Sequence, residues 1–253
     1  MKISQRDRMG GLAKGLAVIE TFTADRPRQA ISGVASASGF DRATARRCLL
    51  TLAELGYADY DGKFFTLTPR VLRLGTACLA AMPLPQLVQP WLDGLSEELG
   101  ESTSVSILDE DEIVYVARAA RRKVMSISLM PGSRLPAYCT SMGRVLLSAL
   151  PEAEIRRRLA IRPLAARTAL TVTDCDAVMA RVETVRDVGY AVVDQEVEVG
   201  LWSIAVPLLN TRGDTVAAMN FGLAAGRTAS ESAIARYLPA LRRIQAEIGK
   251  ILR

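Results

Sequence analysis

Apolar residues first recur at helical spacing over residues 11–23, where Leu12, Leu16, Ile19 and Phe22 share one face and Asp25-Arg26-Pro27 ends the run. A short second helix is predicted over 31–38. It is closed by Gly39, because a tight turn there needs a residue that takes the left-handed conformation freely. Asp41 occupies an N-cap position, and the helix behind it buries Ala45, Cys48, Leu49, Leu52 and Leu55. The period then shortens: two β-prone runs flank Asp61-Gly62, a hairpin signal. Thr68-Pro69 opens a further helix that carries Val71, Leu74, Cys78 and Leu79 on one face. The run Met82-Pro83-Leu84-Pro85 interrupts the pattern. Leu87, Val88, Trp91, Leu92, Leu95 and Leu99 then outline a second amphipathic helix, ending at Gly100.

Beyond residue 100, strand-like and helix-like segments alternate without the strict β-α rhythm of a dinucleotide fold. Strands are predicted at 102–108 and 113–118 around the acidic turn Asp109-Glu-Asp-Glu112, and at 124–129. Helices follow at 141–149, 152–159 and 174–188, then strands at 190–195, 201–209 and 215–223, and a closing helix over 230–252. Such a set predicts an antiparallel α+β domain. The expected organisation is an N-terminal module at 1–68, a linker helix at 69–84 and a larger domain at 85–253.

Charge sharpens the first module. Residues 1–80 hold 12 Lys/Arg against 7 Asp/Glu, whereas residues 81–253 hold 20 of each, so the whole net charge of +5 lies at the N-terminal end. A helix, a glycine turn, an arginine-bearing helix and a hairpin make a winged helix-turn-helix, whose second helix enters the DNA major groove. Arg46, Arg47 and Ala43 point away from the buried stripe, with Arg42 and Thr44 on the flanks. Small and basic residues in the first turns suit approach to base edges and phosphates. Lys63, at the hairpin tip, is placed to reach the sugar-phosphate backbone.

Other chemistry is excluded. With no histidine, no His-based triad, His general base or His metal site exists here. Cys48, Cys78, Cys139 and Cys175 lie far apart, as in a reducing cytoplasm, and Cys139 lacks the usual base for a nucleophilic role. No Gly-x-Gly-x-x-Gly or Walker pattern requires a nucleotide, so no cofactor, metal or enzymatic activity is expected. No apolar run reaches the length of about 18 residues that a membrane span needs, and the first residues do not read as a secretory signal.

The wording Gly11-Leu-Ala-Lys-Gly-Leu-Ala-Val-Ile19 and Asp41-Arg-Ala-Thr-Ala-Arg-Arg-Cys-Leu-Leu-Thr-Leu-Ala-Glu-Leu-Gly-Tyr57 resembles the IclR family of bacterial regulators. So do Leu135-Pro-Ala-Tyr-Cys-Thr-Ser-Met-Gly-Arg-Val-Leu-Leu-Ser-Ala-Leu-Pro151 and Asp194-Gln-Glu-Val-Glu-Val-Gly-Leu-Trp-Ser-Ile-Ala-Val-Pro207. The resemblance implies a dimer or tetramer that binds a palindromic operator, and a GAF-like domain that senses a small molecule. Carried over position by position, its effector pocket falls on Leu135, Ser141, Met142, Asp194, Ser203 and Asn220. Arg134 and Tyr138 join them because an aromatic acid calls for a guanidinium and a ring contact. Tyr115-Val-Ala-Arg118, Met125-Ser-Ile and Ser133–Arg144 resemble the branch governing protocatechuate, 4-hydroxybenzoate and β-ketoadipate catabolism, which implies an aromatic or dicarboxylic acid effector. The competing reading is a small-molecule sensor that acts through protein contacts without DNA.

Overall fold

The structure, a computed structural model, describes residues 4, 7–23, 25–121, 129–226 and 230–252. The chain divides into two units between Ala81 and Met82. The first contains α1 (Gly10–Glu20), β1 (Arg28–Gln29), α2 (Ile31–Ser38), α3 (Arg42–Glu54), β2 (Ala58–Tyr60) and β3 (Phe65–Leu67). A 3-10 turn at Pro69–Val71 then leads into α4 (Leu72–Ala81). Gly39 sits at φ +71°, ending α2 in the left-handed conformation that the turn requires. Asp61 closes the hairpin by accepting from the amides of Lys63 (2.9 Å) and Phe64 (2.8 Å).

Val18, Val34, Ala45, Leu49, Leu52 and Phe65 are buried where the three helices and the sheet meet. Leu50, on the far side of α3 by periodicity, is half-buried and packs against this core. Two features go beyond the sequence pattern. A two-residue strand, β1, joins the hairpin to give the order β1-β3-β2. In α1 the fully buried residue is Val18, whereas Leu12 and Leu16 remain 61% and 46% exposed.

The second unit opens with α5 (Pro83–Leu99). Pro83 starts this helix rather than breaking it, because a first-turn residue needs no hydrogen-bonded N–H. There follow β4 (Ser102–Asp109), β5 (Glu112–Ala119), β6 (Arg134–Pro136), α6 (Ser141–Ser148), α7 (Glu152–Leu159) and α8 (Cys175–Val188). Next come β7 (Ala191–Asp194), β8 (Leu201–Leu209), β9 (Thr215–Ala224) and α9 (Ser230–Gly249). The strand expected at 124–129 lies almost wholly outside the described residues. Six antiparallel strands form one sheet, ordered β6-β5-β4-β9-β8-β7.

Helices cover both faces, so β8 reads as a near-continuous apolar run, whereas the equally central β4 is rich in serine and threonine. On one face, Val88 and Leu92 of α5 and Leu241 and Ile248 of α9 pack with Val105, Val116, Ile204, Val206, Met219 and Phe221. On the other, Met142 and Leu147 of α6 and Val178 and Val182 of α8 pack with Tyr115, Ala205 and Ala218. Fully burying each Leu, Ile or Met contributes about 1.5–3 kcal/mol. No single helix among the described residues is long and apolar enough to cross a membrane.

Candidate functional site

In the first unit the relevant surface is the N-terminal half of α3. Asp41 caps the helix, its side chain accepting from the Thr44 amide at 2.8 Å. Arg42, Ala43, Arg46 and Arg47 are exposed and, at one- and three-residue intervals, project from one side. Thr44 does not join them. It is 7% exposed, and its hydroxyl is occupied by Asp41 at 2.7 Å. Lys63 is exposed at the wing tip, its ammonium 5.2 Å from the Phe64 ring centroid. A second cation at this ring is Arg28, whose guanidinium lies 4.4 Å from that centroid and pairs with Asp61. Sequence reasoning missed Arg28, because a two-residue strand has no period to detect.

The second unit holds a narrow cleft between the sheet and the start of α6. Its floor comes from central strands, with Ser102 on β4, Tyr115 and Arg118 on β5, Ser203 on β8 and Asn220 on β9. Thr140, Ser141 and Met142 enter from the start of the helix, Val197 from the segment between β7 and β8, and Leu201 from the first position of β8. Strand alternation explains the serines. Odd-numbered Val105 faces α5, while Ser102, Ser104 and Ser106 face the cleft side. Ser104 accepts from Arg118 Nη1 at 2.8 Å, and Ser106 donates to Met142 Sδ at 3.2 Å.

Arg118 reaches this face because β5 is irregular. Val105 pairs with Ala117 and Ser106 with Tyr115, so Val116 is an extra residue in the ladder. Val116 and Ala117 both pack toward α5, which returns Arg118 to the same face as Tyr115. Arg118 Nε is buried without a hydrogen-bond partner among the described residues, and burial pulls the guanidinium below its ordinary pKa. Burial pushes Tyr115 up to about 12, so its hydroxyl stays neutral.

The other side of the cleft is a helix N-terminus. Thr140 Oγ1 accepts from the Gly143 amide at 3.2 Å, leaving the first-turn N–H groups of Ser141 and Met142 without intrahelical acceptors. Gly143 permits this approach. A Cβ there would stand 2.2 Å from the Ala137 carbonyl oxygen. An orphaned guanidinium donor, helix-end amides and small hydroxyls, set against Leu129, Leu135, Val197 and Leu201, suit a carboxylate on an apolar body.

Of the residues assigned to the effector pocket, the structure gathers Leu135, Ser141, Met142, Ser203 and Asn220 around the cleft. Three are placed elsewhere. Arg134 pairs outward with Asp109 at 2.6 Å and Glu112 at 2.8 Å. Tyr138 donates its hydroxyl to the Ala165 carbonyl and lines a separate surface cleft. Asp194 ends β7 on the exposed side.

A buried ion pair braces the roof. Arg144 Nη2 meets Glu196 at 2.7 Å, both side chains being under 10% exposed, and Arg144 Nε donates to the Tyr138 carbonyl at 3.0 Å. Residues 195 and 196 are also fixed by bonds from Thr168 Oγ1 to the Gln195 carbonyl (2.7 Å) and from Thr171 Oγ1 to the Glu196 carbonyl (2.6 Å).

Cys139 is buried, and burial pushes its thiol up to about 11, the reverse of what a nucleophile needs. Among the described residues no group of three His, Cys, Asp or Glu side chains could hold a metal ion.

Comparison with known proteins bears on both surfaces. The sequence model of the "IclR helix-turn-helix domain" matches residues 11–62, and that of the "Bacterial transcriptional regulator IclR C-terminal" matches residues 76–250. The chain is 43% identical to the Pca regulon regulatory protein of Pseudomonas putida, over 93% of this chain and 81% of the relative. It is 37% identical to the p-hydroxybenzoate hydroxylase transcriptional activator of Acinetobacter baylyi, over 99% of this chain and 94% of the relative. Among solved structures, an IclR homolog from Microbacterium hydrocarbonoxydans complexed with 4-hydroxybenzoate superposes with a TM-score of 0.74 at 25% identity. That match covers 95% of this chain and 98% of the other.

Proposed function

This chain belongs to the IclR family of bacterial transcriptional regulators, and we propose that it is a cytoplasmic regulator whose operator binding answers to an aromatic carboxylic acid held in the cleft between the sheet and α6. The observation that carries this reading is Arg118, a half-buried arginine whose buried Nε has no partner among the described residues, in a cleft shared with the α6 N-terminus. The 4-hydroxybenzoate bound by the Microbacterium homolog and the hydroxybenzoate and Pca regulators among the relatives support the aromatic class. In this reading the carboxylate meets Arg118 and the Ser141 and Met142 amides, the ring lies against Leu135 and Leu201, and Ser203 and Asn220 orient the remaining polar groups. Unit 1 reads DNA with Arg42, Ala43, Arg46 and Arg47, and the wing adds Lys63. The apolar groove that includes Leu12, Leu16, Leu55 and Leu74 is covered by a second copy, giving the two-fold dimer that a palindromic operator matches.

Calorimetric titration with 4-hydroxybenzoate and protocatechuate tests the cleft. Arg118→Met removes a charge-assisted bond of about 1.5–3 kcal/mol and is expected to weaken binding about ten-fold or more. If wild type binds neither acid, the aromatic assignment fails. Salt titration of binding to the protein's own upstream DNA tests the other surface. Arg46→Ala or Arg47→Ala should each flatten the slope by about one where it removes a phosphate contact. An unchanged slope in both would remove these arginines from the interface.

A further inference from the structure

The residue that supplies the cleft's cation is held by its backbone as well as by its side chain. Gln89, in the second turn of α5, donates from Nε2 to the Arg118 carbonyl at 3.1 Å and to Asp93 Oδ1 at 2.9 Å. One amide thus ties a strand residue whose guanidinium lines the cleft to the helix packed on the opposite face of the sheet. That helix has a particular place in the chain. Only Met82 separates its first residue, Pro83, from Ala81, the last residue of the DNA-reading unit.

Accepting the reading of Arg118 as a carboxylate anchor, we infer that Gln89 is the positioning residue through which an effector on Arg118 acts on α5, and so on the DNA-reading unit. Three features support this. The bulge at Val116 interrupts the β4–β5 ladder just before Arg118, so the pairs Val105–Ala117, Ser104–Arg118 and Thr103–Ala119 form a short run set apart from the rest of the ladder. Val88 and Leu92 hold α5 to the sheet by apolar packing, which has no preferred direction, whereas the Gln89 amide is directional. Among the described residues a second polar tie from α5 to this end of the strand, Arg121 to Glu97, is 3.9 Å long and solvent-exposed, which makes it weak.

The full-length protein tests this with two variants. Gln89→Met keeps the side-chain length but removes the donor. Asp93→Ala removes the other bond of the same amide and leaves the tie to Arg118. Affinity for 4-hydroxybenzoate is measured by calorimetry, and affinity for the upstream DNA by fluorescence anisotropy with and without that acid. Gln89→Met is expected to bind the acid within about two-fold of wild type while the acid-dependent ratio of DNA affinities falls about five-fold, the worth of one hydrogen bond. Asp93→Ala should keep the full ratio. A merely structural role would lower acid binding or melting temperature and leave the ratio alone. A full ratio in Gln89→Met, or an equal loss in Asp93→Ala, overturns the inference.

If wild type does not bind the acid, the cleft reading has failed, and the coupling is then read without ligand. DNA affinities of Arg118→Met, Gln89→Met and the double variant form a cycle in which additivity overturns the inference and non-additivity sustains it.

Discussion

The Asp41 carboxylate accepts both the amide and the hydroxyl of Thr44, and these bonds, the amide foremost, hold its pKa below the ordinary carboxylate value. A carboxyl depressed in the folded state contributes stability that is present above its unfolded pKa of about 3.9 and is lost as pH falls through the folded value. Asp41→Ala should therefore lower the melting temperature at neutral pH, and the gap from wild type should narrow as the solution is acidified below pH about 4. Circular dichroism melts across that range check it, and a gap that stays constant would contradict the account. Asp41, Gly39 and the Asp61-Gly62 turn were legible in the sequence because each is fixed by neighbours within four residues. Arg118 was not, since its direction depends on a ladder irregularity with a strand ten residues away. Arg134 and Tyr138 carried suitable chemistry, but Asp109 and Glu112 hold the one outward and the Ala165 carbonyl holds the other in a different cleft.

Between elements, the Arg144–Glu196 pair joins α6 to the segment that brings Val197 to the cleft. Arg144→Met leaves a buried carboxylate uncompensated and should cost about 3–5 kcal/mol, whereas Arg144→Met with Glu196→Leu should recover most of that loss. Urea denaturation distinguishes them. A double variant no more stable than the single would mean that the pair is not the brace described. At this scale the long helices and the five longer strands were readable from their 3.6- and 2-residue periods. The short β1 and β6 were not, because two or three residues hold no period and take their place from the neighbouring strand.

At the scale of the molecule, the stripe on α1 shows the limit of periodicity, which reports a face and not what covers it. Leu16 lines an open groove within the first unit while half exposed, so Leu16→Asp should leave that unit folded and weaken self-association. Sedimentation over a concentration series checks this, and an unchanged profile would remove the groove from the dimer contact. The extra residue at Val116 has a wider meaning. In a strand, the side facing the ligand is a matter of parity, and a bulge resets the count. A chain of equal length without it would turn its counterpart of Arg118 toward α5, whereas a chain one residue shorter there would keep the guanidinium in the cleft. If Arg118 anchors the carboxylate as proposed, ligand preference is encoded partly by residue number between fixed points, and an insertion or deletion in β5 would change the acid recognised while every lining residue type stays the same.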